Sequence, residues 1–141
     1  HGLSTQWYEN GKMQAKVNNR DGKHDGLTER WYENGQKAEE ATYKEGKGNG
    51  LVLHWCENGQ KAEESTYKAG ELDGPGERWH EDGQKEMEGK WKNGQQEGLL
   101  TAWHENGLKQ MEAMFKEGEL ISEKYWNSKG EEVDSLEEAE Q

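Results

Sequence analysis

Cysteine occurs once, at Cys56, so no disulfide can form within the chain. Proline also occurs once, at Pro75 between Gly74 and Gly76, where it marks a turn. No apolar run is long enough to span a membrane, and residues 1–141 contain no signal-peptide pattern. Leu, Ile, Val and Phe together number 15 in 141 residues, too few for an ordinary aliphatic core. Basic residues are in the minority, 18 against 30 acidic ones, for a net charge of −12. That balance disfavours nucleic-acid backbones and anionic membranes as partners. No Ser-His-Asp arrangement, phosphate loop or paired metal-ligand spacing is present. The chain reads as non-enzymatic, with no cofactor and no metal.

Few aliphatics and high net charge would by themselves suggest disorder. The aromatics contradict it. Trp7, Trp31, Trp55, Trp79 and Trp103 recur every 24 residues, and Trp126 follows one residue short. A strict period of this size means stacked copies of one small unit. Seven Trp and five Tyr supply contact area that the aliphatic count misses, on the order of 150–250 Å² for each ring. At about 25 cal/mol/Å² a buried aromatic contributes roughly 4–6 kcal/mol, while ordering one residue costs about 1.5 kcal/mol. A single unit with two aromatics therefore cannot stand alone, and stacking is required.

Glycine is positional. One column is Gly11, Gly35, Gly59, Gly83, Gly107 and Gly130; a second is Gly22, Gly46, Gly70, Gly94 and Gly118; a third is Gly2, Gly26, Gly50, Gly74 and Gly98. These hold 16 of the 19 glycines. Asn-Gly is a strong hairpin signal. Each unit reads as strand, turn at E-N-G, strand, then a wider turn from K-x-G through the following glycine. The fold class expected is all-β: an elongated single-sheet meander of about eleven strands in 24-residue hairpins, five to six repeats over residues 2–130. Residues 131–141, with six acids and no base, form an acidic tail, disordered or briefly helical at DSLEEAEQ. The chain opens at His1-Gly2, inside the repeated phrase, as a piece trimmed from a longer array would.

Parity assigns the faces. In the second unit the odd positions Leu27, Trp31, Ala41 and Tyr43 make the better core. A three-residue turn with a glycine bulge keeps Trp31 and Tyr43 on one face, where a two-residue turn would separate them. On this reading the opposite face carries the column Tyr8, Tyr32, Cys56, His80 and His104. Aromatic and His side chains suit interfaces, so this exposed strip is the candidate partner-binding site. A shared metal does not fit it, because equivalent positions lie two strands apart, about 9–10 Å, and zinc requires ligands about 2.0–2.3 Å from one centre. The rows of Glu9, Glu33, Glu57, Glu81 and Glu105, of Glu40, Glu64, Glu88 and Glu112, and of Lys44, Lys68, Lys92 and Lys116 read as a solvated face with cross-strand charge pairing.

The phrase GLTERWYENGQKAEEATYKEGKGNG, from Gly26 to Gly50, resembles the MORN repeat in the variant form of bacterial YwqK-type antitoxins. The resemblance runs over about residues 2–130. It implies β-hairpin repeats in an elongated sheet and a role in binding or scaffolding, with toxin neutralisation as the role of the antitoxin-type members. The function expected is a non-enzymatic scaffold that binds another protein, as an antitoxin or immunity factor. The alternative is a structural surface or filament subunit in which further copies assemble end to end. A third, carbohydrate or choline binding through the aromatics, belongs to a different class.

Overall fold

The computed structural model describes all 141 residues, His1–Gln141. Nearly every element is a strand, and within each unit the strands pair antiparallel, almost always with a neighbour in the chain. The chain forms two compact units, His1–Glu71 and Leu72–Gln141. The first holds β1 (Gly2–Trp7), β2 (Met13–Arg20), β3 (Lys23–Trp31), β4 (Lys37–Lys44), β5 (Lys47–Trp55) and β6 (Lys61–Lys68), in that order across the sheet. The second opens with β7 (Glu71–Trp79) and continues through β8 (Lys85–Lys92), β9 (Gln95–Gln96), β10 (Gly98–Trp103), β11 (Lys109–Lys116), β12 (Glu119–Trp126) and β13 (Glu132–Val133). There β8 pairs with β7, β9 and β10, and β11, β12 and β13 follow in turn. Eleven of the strands are six residues or longer, the number the hairpin period implies.

Every one of the 16 columnar glycines has positive φ, a conformation that L side chains resist, whereas Gly48, Gly76 and Gly89 do not. The E-N-G turn is the three-residue form: Tyr32 N donates to Gln36 O at 2.8 Å and Gly35 N to Tyr32 O at 2.9 Å. The K-x-G turn differs from the expected wide one. It is a tight two-residue turn with both central residues at positive φ, Glu45 at 51° and Gly46 at 84°. The width is taken up at the third glycine column instead: Tyr43 pairs with Gly48 but Ala41 with Val52, so Gly50 sits in a bulge.

The parity assignment is corrected by a second bulge in each hairpin. Trp31 pairs with Lys37, but Arg30 pairs with Glu39, leaving Ala38 as an extra residue. One extra residue in the turn and one in the strand cancel. The register beyond them is the one a two-residue turn would have produced, and Trp31 and Tyr43 fall on opposite faces. One face carries Leu27, Glu29, Trp31, Lys37, Glu40 and Thr42; the other carries Gly26, Thr28, Arg30, Glu39, Ala41 and Tyr43. The buried centre lies on the second face and is built of small side chains: Ala15, Thr28 and Ala41 in the first unit, Gly76, Gly89, Leu100 and Ala113 in the second. No large side chain is fully buried. On that face Tyr43, Tyr67 and Trp91 lie half-buried beside the small residues, while the periodic tryptophans stand on the other face.

The last residues pack on the second unit. Ser135 caps a one-turn helix α1 (Leu136–Ala139), its hydroxyl accepting from Glu138 N. Glu137 and Glu138 occupy the first turn, where acidic side chains suit the helix dipole. Ala139 is fully buried, and α1 lies against β11, β12 and β13.

Candidate functional site

The column Tyr8, Tyr32, Cys56, His80 and His104 opens each E-N-G turn. Its side chains are half-buried rather than exposed, and four of the five reach the next hairpin. Tyr8 Oη donates to Trp31 O and Tyr32 Oη to Trp55 O, both at 2.6 Å. His80 Nε2 donates to Trp103 O at 3.3 Å and His104 Nε2 to Trp126 O at 2.8 Å. A phenol and an imidazole thus do one job, since each carries a donor at the end of a flat ring. Cys56 holds the same position with a shorter side chain, half-buried and unbridged. The column is a run of ties between repeats. Burial first, then the neighbouring Cys56 and Glu57, push the Tyr32 hydroxyl above its ordinary value.

A second set of ties lies beside it. In the first E-N-G turns the Asn Oδ1 accepts the backbone N–H two residues on, Lys12 N to Asn10 at 2.9 Å and Gln36 N to Asn34 at 2.8 Å. The same side chains donate forward through Nδ2, Asn10 to Glu33 O at 3.2 Å, Asn34 to Glu57 O at 2.9 Å and, later, Asn106 to Ser128 O at 2.7 Å. Asp82 keeps the turn bond, at 2.9 Å to Gln84 N, but a carboxylate has no donor for the forward one.

The opposite ends of the hairpins tie backward. Gly46 N donates to His24 O at 2.8 Å and Gly70 N to Gly48 O at 2.9 Å; in the second unit Gly94 N reaches Leu72 O at 2.7 Å and Gly118 N reaches Gln96 O at 3.0 Å. The residue before each glycine donates to a side chain of the previous repeat: Glu45 N to Asp25, Ala69 N to Asn49, Asn93 N to Asp73 and Glu117 N to Glu97. Within each unit, then, neighbouring hairpins are stapled at both ends. Sequence reasoning did not assign these ties. The signal was present: a ring or amide donor in one column and Asp, Asn, Asp, Glu at positions 25, 49, 73 and 97 in another.

The tryptophan face carries an ion-paired ladder. Lys37 Nζ lies 2.7 Å from Glu29 and 3.0 Å from Glu40, and sits over the rings of Trp31 and Trp55 at 5.8 and 6.0 Å. Lys85 repeats the arrangement with Glu77 at 3.2 Å, Glu88 at 2.8 Å and the Trp103 ring at 6.0 Å. Lys109 pairs with Glu112 and covers Trp126 at 5.7 Å. The Glu29 hydrogen bond is the main reason that Lys37 holds its proton above the usual lysine value; the Glu88 bond does the same for Lys85. In the first hairpin Met13 takes the lysine's place opposite Trp7. Glu40, Glu88 and Glu112 of the expected carboxylate rows are ion-paired, but on the tryptophan face, along their own strand, and with Lys37, Lys85 and Lys109 instead of the expected row of Lys44, Lys68, Lys92 and Lys116. No three His, Cys, Asp or Glu side chains converge as a metal set would.

Beside the ladder runs an exposed apolar stripe, Leu3, Leu27 and Leu51 in the first unit and Leu99 with Met114 in the second. Trp7, on β1, is 58% exposed. These residues, together with Leu108, Leu120, Ile121 and Leu136 elsewhere in the second unit, are the large apolar groups that water reaches; the tied column is half-buried.

Against known proteins, the MORN repeat variant pattern matches residues 1–18, 25–45 and 72–93. The three stretches coincide with the hairpins β1–β2, β3–β4 and β7–β8. No curated protein matches the chain. MORN repeats serve in protein or membrane-lipid interactions, and a hairpin meander carrying them fits a repeat scaffold for binding.

Proposed function

We propose that the chain is a non-enzymatic scaffold that binds another protein through the side-chain rows of its stacked hairpins. The observation that carries this reading is the double stapling of neighbouring hairpins, forward through Tyr32 to Trp55 and backward through Gly46 to His24. Staples at both ends hold the rows in register and leave Leu3, Leu27 and Leu51 open to solvent. A pre-ordered surface loses little entropy when a partner docks. The partner's surface is basic or mixed in charge, because 30 acids against 18 bases favour encounter with such surfaces and oppose polyanions. The column of Tyr8, Tyr32, Cys56, His80 and His104 borders that surface, while the polar ends of its two tyrosines and two histidines hold the array together.

The finer form of the proposal is an antitoxin or immunity factor. It is tested by capturing what binds the chain in its source organism and by co-expressing the chain with the captured protein. Relief of that protein's toxicity supports the finer form. Capture without relief retains only the scaffold. The Leu27→Ser, Leu51→Ser double variant should release the captured protein while keeping a β spectrum; unchanged capture would remove the leucine stripe from the interface.

A second reading, a structural or filament subunit assembling end to end, draws on β1. All six of its residues are exposed, and it pairs only with β2. A strand paired on one side is a template for another, from a further repeat or a second copy. Sedimentation that grows with concentration favours this reading, and a single species throughout disfavours it.

A further inference from the structure

Three glycines lie outside the positional columns and have ordinary φ: Gly48, Gly76 and Gly89. Backbone conformation does not explain them. Packing explains Gly89, where an added Cβ would stand 2.7 Å from Leu100 Cδ1 and 3.1 Å from the Trp91 ring. Neighbouring side chains already fill that space. Gly48 is different. A Cβ there would meet Tyr67 at 3.5 Å, an ordinary van der Waals contact. Neither the turn nor a neighbour requires glycine at this position.

The position lies between two aromatic rows. Gly48 pairs with Tyr43 on β4 and touches Tyr67 on β6. The equivalent residue is His24 one repeat earlier, and Leu72 and Gln96 in the later ones. His24 shows what the place holds when occupied: its imidazole packs on Tyr43, ring centres 5.4 Å apart. At Gly48 no side chain enters, and a cavity of about 230 Å³ remains, lined by Tyr43, Gly48, Val52, Tyr67 and Gly70. Two phenol rings, an isopropyl group and bare backbone form its walls.

We infer that this cavity receives one apolar or aromatic side chain from a protein partner, in a place equivalent to the one that His24 fills from within the chain. Its size and lining suit such a group. No carboxylate and no side-chain amide lines it. Aromatic anchors in pockets dominate the binding energy of protein interfaces. The inference deepens the protein-binding reading and rests on it only for the kind of ligand.

The test uses N-acetylphenylalanine amide as the probe, followed by the NMR signals of the Tyr43 and Tyr67 rings and the Val52 methyls. Saturable shifts at these residues in the millimolar range are expected, with none at Ala113 or Met114. Gly48→Leu, which copies the residue at position 72, should keep the β spectrum and weaken probe binding at least tenfold. Should that variant fold poorly, Gly48→Ala, whose added methyl makes only ordinary contacts, should weaken binding several-fold. Absence of saturable shifts, or equal binding by the Gly48 variants, overturns the inference. So does a tighter response to methyl β-glucoside, which would make the cavity a sugar site. None of these results bears on capture of a partner by the unmodified chain, on which the scaffold reading stands separately.

Discussion

The Tyr32 hydroxyl donates to the carbonyl oxygen of Trp55 at 2.6 Å, across 23 residues of chain. The same bond joins Tyr8 to Trp31, and imidazoles supply it at His80 and His104. Tyr32→Phe removes this one bond and leaves the ring in place. It should cost about 0.5–1.5 kcal/mol, the usual net worth of an intramolecular hydrogen bond, read as a lower urea midpoint with unchanged slope. Tyr125→Phe, whose hydroxyl meets only the exposed Glu123 carboxylate, should cost less. Equal losses would mean that the inter-repeat bond contributes nothing.

Thr28 is buried, and its Oγ1 has no hydrogen-bond partner. Val52 holds the equivalent position one repeat later. Thr28→Val keeps the shape and removes the unsatisfied oxygen, whose burial costs about 1–3 kcal/mol. The variant should therefore be as stable as the parent or more so in chemical denaturation. A loss above about 1 kcal/mol would show that the hydroxyl has a partner, such as an ordered water.

Ala69 sits at φ 52°, left-handed, at the first central position of its two-residue turn. Asn93 occupies the same place at φ 50°. Asn tolerates this region because its short amide bonds locally, whereas the left-handed form costs other L residues roughly 1–2 kcal/mol. Ala69→Asn should stabilise by about 0.5–1 kcal/mol, and Asn93→Ala should lose a similar amount. A thermal melt of each variant decides it, and shifts of the same sign for both would rule the account out.

Four groups hold their protons more tightly in the folded chain than in model compounds. Hydrogen bonding to Glu29 raises Lys37, hydrogen bonding to Glu88 raises Lys85, burial raises Tyr32, and hydrogen bonding to Glu123 raises Tyr125. The ordinary values are 10.5 for the lysines and 10.0 for the tyrosines. As pH rises past these, the unfolded chain releases protons that the folded chain keeps. Stability from these groups is fully present below pH 10.0 and is lost as pH rises through the raised values. Denaturant midpoints should fall above pH 10 and fall less steeply in Tyr32→Phe. A midpoint that rises there would contradict the sign.

The sequence by itself determined the hairpin period, the strand count and the glycines at which the backbone turns left-handed, but not the left-handed Asp21, Glu45, Ala69, Asn93 and Glu117 that precede one glycine column. These are local properties. Trp31 recurs at 24-residue steps because each unit is built alike, and Gly35, Gly46 and Gly50 stand where positive φ excludes side chains. The faces were not legible. Whether Trp31 and Tyr43 share a side depends on the count of bulged residues between them, and Ala38 adds one that no composition signal marks. One residue of register inverts every side chain beyond it. The candidate column at Tyr8, Tyr32, Cys56, His80 and His104 was visible as a column, but its direction was not. Only the tertiary structure brings the Tyr32 hydroxyl to the Trp55 carbonyl, because that carbonyl belongs to another strand whose position the stacked register decides. The same holds for Gly48. Its missing side chain is plain in the sequence, and the cavity it leaves exists only once Tyr43 and Tyr67 stand on either side.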